Sequence, residues 1–197
     1  MSRSAGVILA AGGSTRMGRP KQLLPVHGRA LLELVVTHAC ASALDHVVVV
    51  LGANAEVVRN AVDMGRAEVV VNADHAAGMS SSLRVGIQTL AGDVGRAVIL
   101  LGDQPDVTAA QIDELLDLQK RSGLPASALS FDGLLHPPVV LERTLWPGLM
   151  ELDGDVGCRR IIRAQPELVA ALPASVPGRH PVDIDTPDDY ARLLEGA

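Results

Sequence analysis

The feature that most limits the fold of this 197-residue chain is a set of short segments that are apolar along their length rather than at alternate positions. Ala5–Ala10 reads AGVILA, His46–Leu51 reads HVVVVL and Ala97–Leu101 reads AVILL. Strands of this kind bury both faces, so each must be covered on both sides, the condition met in parallel sheets. Glu68–Val71 reads as a further strand. Between the strands, Ala30–Ala43, Glu56–Met64, Ser80–Leu90 and Thr108–Arg121 read as helices, the last opened by a Thr108/Gln111 capping box. Alternating strands and helices with right-handed crossovers give an α/β fold, a doubly wound, mostly parallel central sheet with helices on both faces. Ligands of such sheets bind beyond the carboxyl ends of the strands. Gly12, Gly52, Asn72 and Gly102 all follow strands, which is where a site is expected.

After Ser122 the pattern loosens. Ser127–Ser130 and Pro138–Leu141 read as short strands, Arg159–Ala164 as a helix and Pro181–Ile184 as a last strand. A final helix is capped by Thr186, with Pro187 at its first position and Asp188 and Asp189 in its first turn. No linker, repeat or low-complexity tract interrupts the chain, so residues 1–197 are expected to form one domain.

Composition excludes several functions. Aromatics are 2% of the chain, namely Phe131, Trp146 and Tyr190, too few to build base-stacking platforms for single-stranded nucleic acid. The net charge is −6, and a nucleic-acid backbone calls for an extended basic face. No uninterrupted apolar run reaches the length of a membrane span, and the apolar N-terminal stretch breaks at Gly12-Gly13, too early for a signal peptide. Cys40 and Cys158 follow no shared pattern, as expected of free thiols in a reducing, cytoplasmic compartment.

The charge is unevenly spread. Residues 1–32 contain no Asp or Glu but contain Arg3, Arg16, Arg19, Lys21 and Arg29. Within them, Leu9–Lys21 reads LAAGGSTRMGRPK. Gly12, Gly13 and Gly18 let the backbone turn and approach a ligand closely. Exposed amides in such a loop bind phosphate oxygens, Arg16 adds a planar donor fork and Lys21 a point charge. On charge alone a basic surface loop fits equally well; the glycines, Arg16 and Lys21 together favour a phosphate. It is not a P-loop, because Arg19-Pro20 follow Gly18 where Lys-Ser/Thr is needed, and no Gly-x-Gly-x-x-Gly dinucleotide fingerprint occurs.

LAAGGSTRMGRPKQLLP resembles the signature of the molybdenum cofactor cytidylyltransferase family, within the MobA-like nucleotidyltransferases. The resemblance continues through GMSSSLRVGI (Gly78–Ile87), LGDQPDV (Leu101–Val107), HPPVVL (His136–Leu141), GDVGCR (Gly154–Arg159) and DIDTPDDY (Asp183–Tyr190). It implies a Rossmann-like sheet with one late antiparallel strand, and transfer of CMP from CTP to the phosphate of a molybdopterin cofactor with release of pyrophosphate. Relatives that use GTP carry a second Gly where this chain has Ala11, which favours CTP. The nucleotide is expected against Leu9, Ala10, Ala11, Gly12, Gly13, Ser14, Arg16 and Lys21. A recipient molybdoenzyme is a candidate partner.

The resemblance gives Asp103 the role of magnesium ligand, consistent with a metal that needs few carboxylates besides substrate phosphates and waters. Arg16, Lys21 and Asp103 are the expected catalytic groups. Asp185 is either a second metal ligand or part of the cap of the last helix. Ser80, Ser81 and Ser82 open a helix, where anions are favoured; an N-cap accounts for one of them, and the rest suggest substrate contact. Asn72 is a further candidate for the cleft. On the acceptor side, His136 contacts the pterin or caps its strand, and Asp155 and Arg159 contact the acceptor or form a surface turn. Two departures from the family pattern fall here: Leu135 where Gly commonly precedes the His-Pro pair, and Cys158 where Ala is common. No Ser-His-Asp arrangement is visible, and a phosphate acceptor, largely dianionic at neutral pH, needs no general base.

Overall fold

The computed structural model describes residues 2–14, 18–173, 184 and 186–195. In chain order they form β1 (Arg3–Ala10), β2 (Pro25–Val26), β3 (Arg29–Ala30), α1 (Leu31–Ala41), β4 (His46–Leu51), α2 (Ala55–Ala61), β5 (Glu68–Val71), α3 (Met79–Thr89), β6 (Val94–Leu101), α4 (Ala109–Ser122), β7 (Ala126–Phe131), β8 (Leu134–Glu142), α5 (Trp146–Met150), α6 (Arg159–Ala164), β9 (Val169–Pro173) and α7 (Pro187–Glu195). Seven strands make the main sheet in the order β5-β4-β1-β6-β8-β7-β9. β1 lies inside the sheet, parallel to β4 and β6, and β5 extends the parallel set from β4. β8 runs antiparallel to both β6 and β7, and β9 pairs parallel with β7. The mostly parallel sheet with one late reversed strand is the architecture expected from the sequence.

The strand side chains alternate between two apolar layers. Val48 and Val50 of β4, Val7 of β1 and Ile99 of β6 face a layer closed by Leu83 and Ile87 of α3, Trp146 and Leu149 of α5 and Ile162 of α6. Val47, Val49 and Leu51, with Ile8, Val98 and Leu100, face the other, closed by Leu32, Val35 and Val36 of α1, Val58 of α2 and Ile112 and Leu115 of α4. This two-sided burial is why the strands read as unbroken apolar runs. Gly86 of α3 sits directly over the sheet: a Cβ there would run into Val7 Cγ1 and lie 3.1 Å from Val50 Cγ2. The glycine lets the helix approach the strands.

The Thr108 capping box forms as expected, with Thr108 Oγ1 accepting from the Gln111 amide and the Gln111 side chain accepting from the Thr108 amide. Thr186 and Asp189 make the equivalent exchange at the start of α7. Three elements are absent from the sequence reading: the β2–β3 hairpin, α5 and β9. Of the strand expected over Pro181–Ile184, residues 181–183 lie outside the described residues, and Ile184 is a buried coil residue packed with Leu24, Val26, Leu31 and Leu193. No helix among the described residues is long and apolar enough to cross a membrane.

Candidate active site

A cleft of about 1030 Å³ opens at the carboxyl ends of β1 and β6, where the crevice rule for parallel sheets puts it. Its floor is the chain leaving β1, from Leu9 to Ser14, together with Leu101, Gly102 and Asp103 leaving β6. Gly102 N donates to Leu9 O at 2.9 Å, so the two strand exits are tied together as they enter the cleft.

The loop after β1 is held from inside by a residue that the sequence reading passed over. Gln22 is 2% exposed. Its Nε2 donates to Ala10 O at 2.8 Å and to Gly12 O at 3.1 Å. Ser14, at φ 53°, turns back so that its Oγ accepts from the Lys21 amide at 2.9 Å. The loop is thereby closed on itself, with Lys21 at the start of a single 3-10 turn (Lys21–Leu23) pointing across the cleft. A polar residue inside the otherwise apolar QLL was the available signal for Gln22.

Lys21 Nζ lies 2.5 Å from Asp103 Oδ2, joining residues 82 positions apart. The two side chains are 18% and 13% exposed, so this pair is largely removed from solvent. The geometry thus brings together two of the three residues expected to carry catalysis. The third, Arg16, lies outside the described residues, as does Asp185. The cap of α7 is made by Thr186 and Asp189, as described above. Behind the loop, Arg19 stands 6.0 Å from the ring centroid of Tyr190, whose hydroxyl donates to Pro25 O at 2.5 Å, so α7 braces this wall.

The wall opposite is built on α3. Asn72 is 2% exposed, and its Nδ2 donates to Ser81 Oγ at 2.7 Å and Ser82 Oγ at 2.9 Å. Ser81 Oγ in turn donates to Gly78 O at 2.8 Å. These groups lock the end of β5 to the start of α3. Of Asn72 and the three serines, only Ser82 is among the residues lining the cleft. Ser80 is fully buried, and its amide is taken by Gly154 O at 3.2 Å. The amide and hydroxyl groups that suggested a substrate-binding helix end are therefore largely engaged in scaffold bonds.

That last bond belongs to a tight junction. Gly78 has φ 99°, and a Cβ on it would lie 2.5 Å from Gly154 O and 2.6 Å from the Asp155 amide. Arg84 of α3 adds a bond from Nη1 to Leu152 O at 2.5 Å. The loop from Leu152 to Cys158 is thus fastened to α3, and Asp155 on it and Arg159 at the start of α6 both line the cleft. Arg160 and Arg163 of α6 also line it and were not foreseen, because nothing in the local pattern distinguishes them from surface arginines. His136 is buried in β8, and its neighbour Pro137 is the residue that reaches the lining. Cys158 is 3% exposed behind the same loop, and burial pushes its thiol up to about 12.

Among the described residues no group of three or more His, Cys, Asp or Glu is arranged to hold a metal ion. Asp103 is a hard carboxylate on the cleft floor, which suits a cation whose remaining ligands are substrate phosphates and waters.

Residues 6–169 match the model of the MobA-like NTP transferase domain. The chain belongs to this family of nucleotidyltransferases. Among MobA-like relatives, nicotine blue oxidoreductase of Paenarthrobacter nicotinovorans is 34% identical over 96% of this chain and 95% of its own length. Purine catabolism protein PucB of Bacillus subtilis is 34% identical over 94% and 93%. The crystal structure of Rv0371c from Mycobacterium tuberculosis H37Rv superposes with a TM-score of 0.87 at 32% identity, covering 98% of each chain. A manganese complex of that protein superposes at 0.85 with the same identity over the whole of both chains.

Proposed function

We propose that this MobA-like chain, acting as one cytoplasmic domain, transfers CMP from CTP to the phosphate of a molybdopterin-type acceptor, releases pyrophosphate and requires magnesium. The observation that carries the reading is the meeting of Lys21 and Asp103 on the floor of a cleft bounded by the glycine-rich loop. The cleft volume is in the range of small-molecule sites and has room for a nucleotide and part of an acceptor. Amides of Ala11, Gly12 and Gly13 face the triphosphate, with Lys21 and Arg16 as its cationic partners. Ala11 in place of a second glycine favours cytosine over guanine. Asp103, aided by Asp185, holds the ion; the manganese complex of the mycobacterial relative supports a divalent cation here. Bound magnesium supplies charge neutralisation at the phosphates.

In the reaction an acceptor phosphate oxygen forms a bond to the α-phosphorus, the bond from that phosphorus to the oxygen bridging it to the β-phosphorus breaks, and pyrophosphate leaves with its electron pair. The acceptor oxygen is already anionic, so no side chain need remove a proton. The chain's contribution is alignment and positive charge, and groups of this kind contribute about 3–4 kcal/mol each to the transition state. Arg159 and Asp155 orient the acceptor, with His136 supporting the wall beneath it. A recipient molybdoenzyme then accepts the product.

The test is a thermal-unfolding series with CTP, GTP, ATP and NADPH, each with and without magnesium. A ligand at 100 times its Kd adds about 2.7 kcal/mol, and the largest magnesium-dependent shift is expected with CTP. Pyrophosphate release from CTP with a molybdopterin acceptor, abolished by Asp103→Asn in a protein that still melts cooperatively, completes the assignment; undiminished turnover removes Asp103 from the mechanism. A second reading, a nicotinamide-nucleotide-dependent oxidoreductase on this fold, draws on the similarity to nicotine blue oxidoreductase. A shift with NADPH alone would select it.

A further inference from the structure

The carboxylate proposed to carry the metal already carries a cation of the chain's own. Lys21 Nζ stands at hydrogen-bond distance from Asp103 Oδ2, with both side chains mostly shielded from water. Resting on the assignment of Asp103 above, we propose that Lys21 is a resident competitor for the divalent cation, holding Asp103 until a triphosphate draws its ammonium away, so that metal and nucleotide load together.

The argument is one of charge and space. A divalent ion of the magnesium class sits about 2.1 Å from a carboxylate oxygen. An ammonium bonded to the same carboxylate would then be crowded against it, with two positive charges added beside the one already there. At low exposure such an excess is poorly screened. A triphosphate supplies several negative charges at once. It offers Lys21 a new partner within the reach of its flexible stem and provides the ion with oxygen ligands. The loop is built for this exchange: the Lys21 backbone is fixed by Ser14, so the side chain can swing while its root stays in place. The carboxylate thus never lacks a counter-charge, and metal alone binds against competition.

The chain contains two lysines, Lys21 and Lys120, and Lys120 lies on the exposed face of α4. This makes both directions of the competition measurable. Free manganese is titrated by electron paramagnetic resonance into nucleotide-free protein, comparing wild type with Lys21→Gln and with Lys21→Met, which keeps the apolar stem. Both variants are expected to bind manganese about tenfold more tightly, a gain lying between exposed and buried ion pairs, and to bind CTP more weakly. Asp103→Asn added to either should erase the gain. A residue that merely supports the loop would weaken both ligands. The second measurement uses the wild type alone: magnesium without nucleotide should move the 15Nζ resonance of Lys21 and leave that of Lys120 in place. Unchanged or weaker manganese binding in both variants overturns the proposal, as does a Lys21 resonance indifferent to magnesium. If Asp103→Asn still abolishes manganese–CTP binding, the metal assignment stands and the competition alone falls. If manganese–CTP binding survives Asp103→Asn, both fall.

Discussion

Replacing Gln22 with methionine removes the amide that closes the loop after β1 while keeping the length of the side chain. Its two donated bonds are lost, to Ala10 O at 2.8 Å and Gly12 O at 3.1 Å, along with the 3.5 Å bond that its Oε1 accepts from Ser14 Oγ. Ala10 is 6% exposed, so its carbonyl has little access to replacement water, and a buried unsatisfied group costs about 1–3 kcal/mol. Gly12 is exposed and its carbonyl can turn to solvent, which limits that loss to about 1 kcal/mol or less. The sum is about 1–4 kcal/mol, which lowers the Tm of a chain this long by about 2–16 °C. The fold should survive, because neither apolar layer includes Gln22. Nucleotide affinity should fall further than stability does, since the free loop must then be ordered on binding. Circular-dichroism melts give the first quantity, and the CTP-induced shift in the presence of magnesium gives the second. A variant with the wild-type Tm and an undiminished CTP shift would refute the account of Gln22 as the fastener of the loop.

Three further predictions concern the core. Cys158, held near 12 by burial, is almost wholly protonated at pH 8, whereas Cys40 is only half-buried. A maleimide should label one thiol per folded chain and two in urea; rapid labelling of both in the native protein would contradict the burial. Because the folded thiol keeps its proton to higher pH than the unfolded one, stability should decline from about pH 9 upward, and Cys158→Ala should flatten that decline in urea titrations. Gly86→Ala forces a methyl into Val7 and Val50, both inside paired strands, and should cost about 1–3 kcal/mol by urea unfolding; a neutral result would mean that α3 stands further from the sheet than described.

The sheet was legible where burial on both faces leaves no alternation to misread, as in HVVVVL, and α4 where a capping box states its first residue. The elements that escaped are those whose local signals conflict with their state. β2 and β3 are two residues each, joined by His27 and Gly28 at φ 50° and 80°, so no periodicity can develop. α5 contains Pro147 and Gly148, which read as breakers, yet Pro is tolerated in a first turn. β9 holds two alanines and ends on Pro173, and it is recruited by pairing with β7 rather than by propensity. In the cleft, the cationic loop and Asp103 stood out through composition and position. Their contact could not, since it depends on β1 and β6 being neighbours. Asn72 and Ser81 were polar residues near the site with no sign in their spacing that they would bond to each other.

The reversal of β8 has its own bearing on how such a site can change. β1, β4, β5 and β6 end at the ligand-bearing rim, and each is followed there by a chain segment that must cross back over the sheet. β8 instead begins at that rim, entered from β7 through a tip at Asp132 and Gly133, both at positive φ. Among the described connections on that rim, this tip joins two neighbouring strands directly, so it can grow or shrink without re-routing a crossover. Lengthening it would extend the cleft wall beside Pro137 and alter which acceptors fit, while the loop, the lysine and the carboxylate that receive the nucleotide stay where they are.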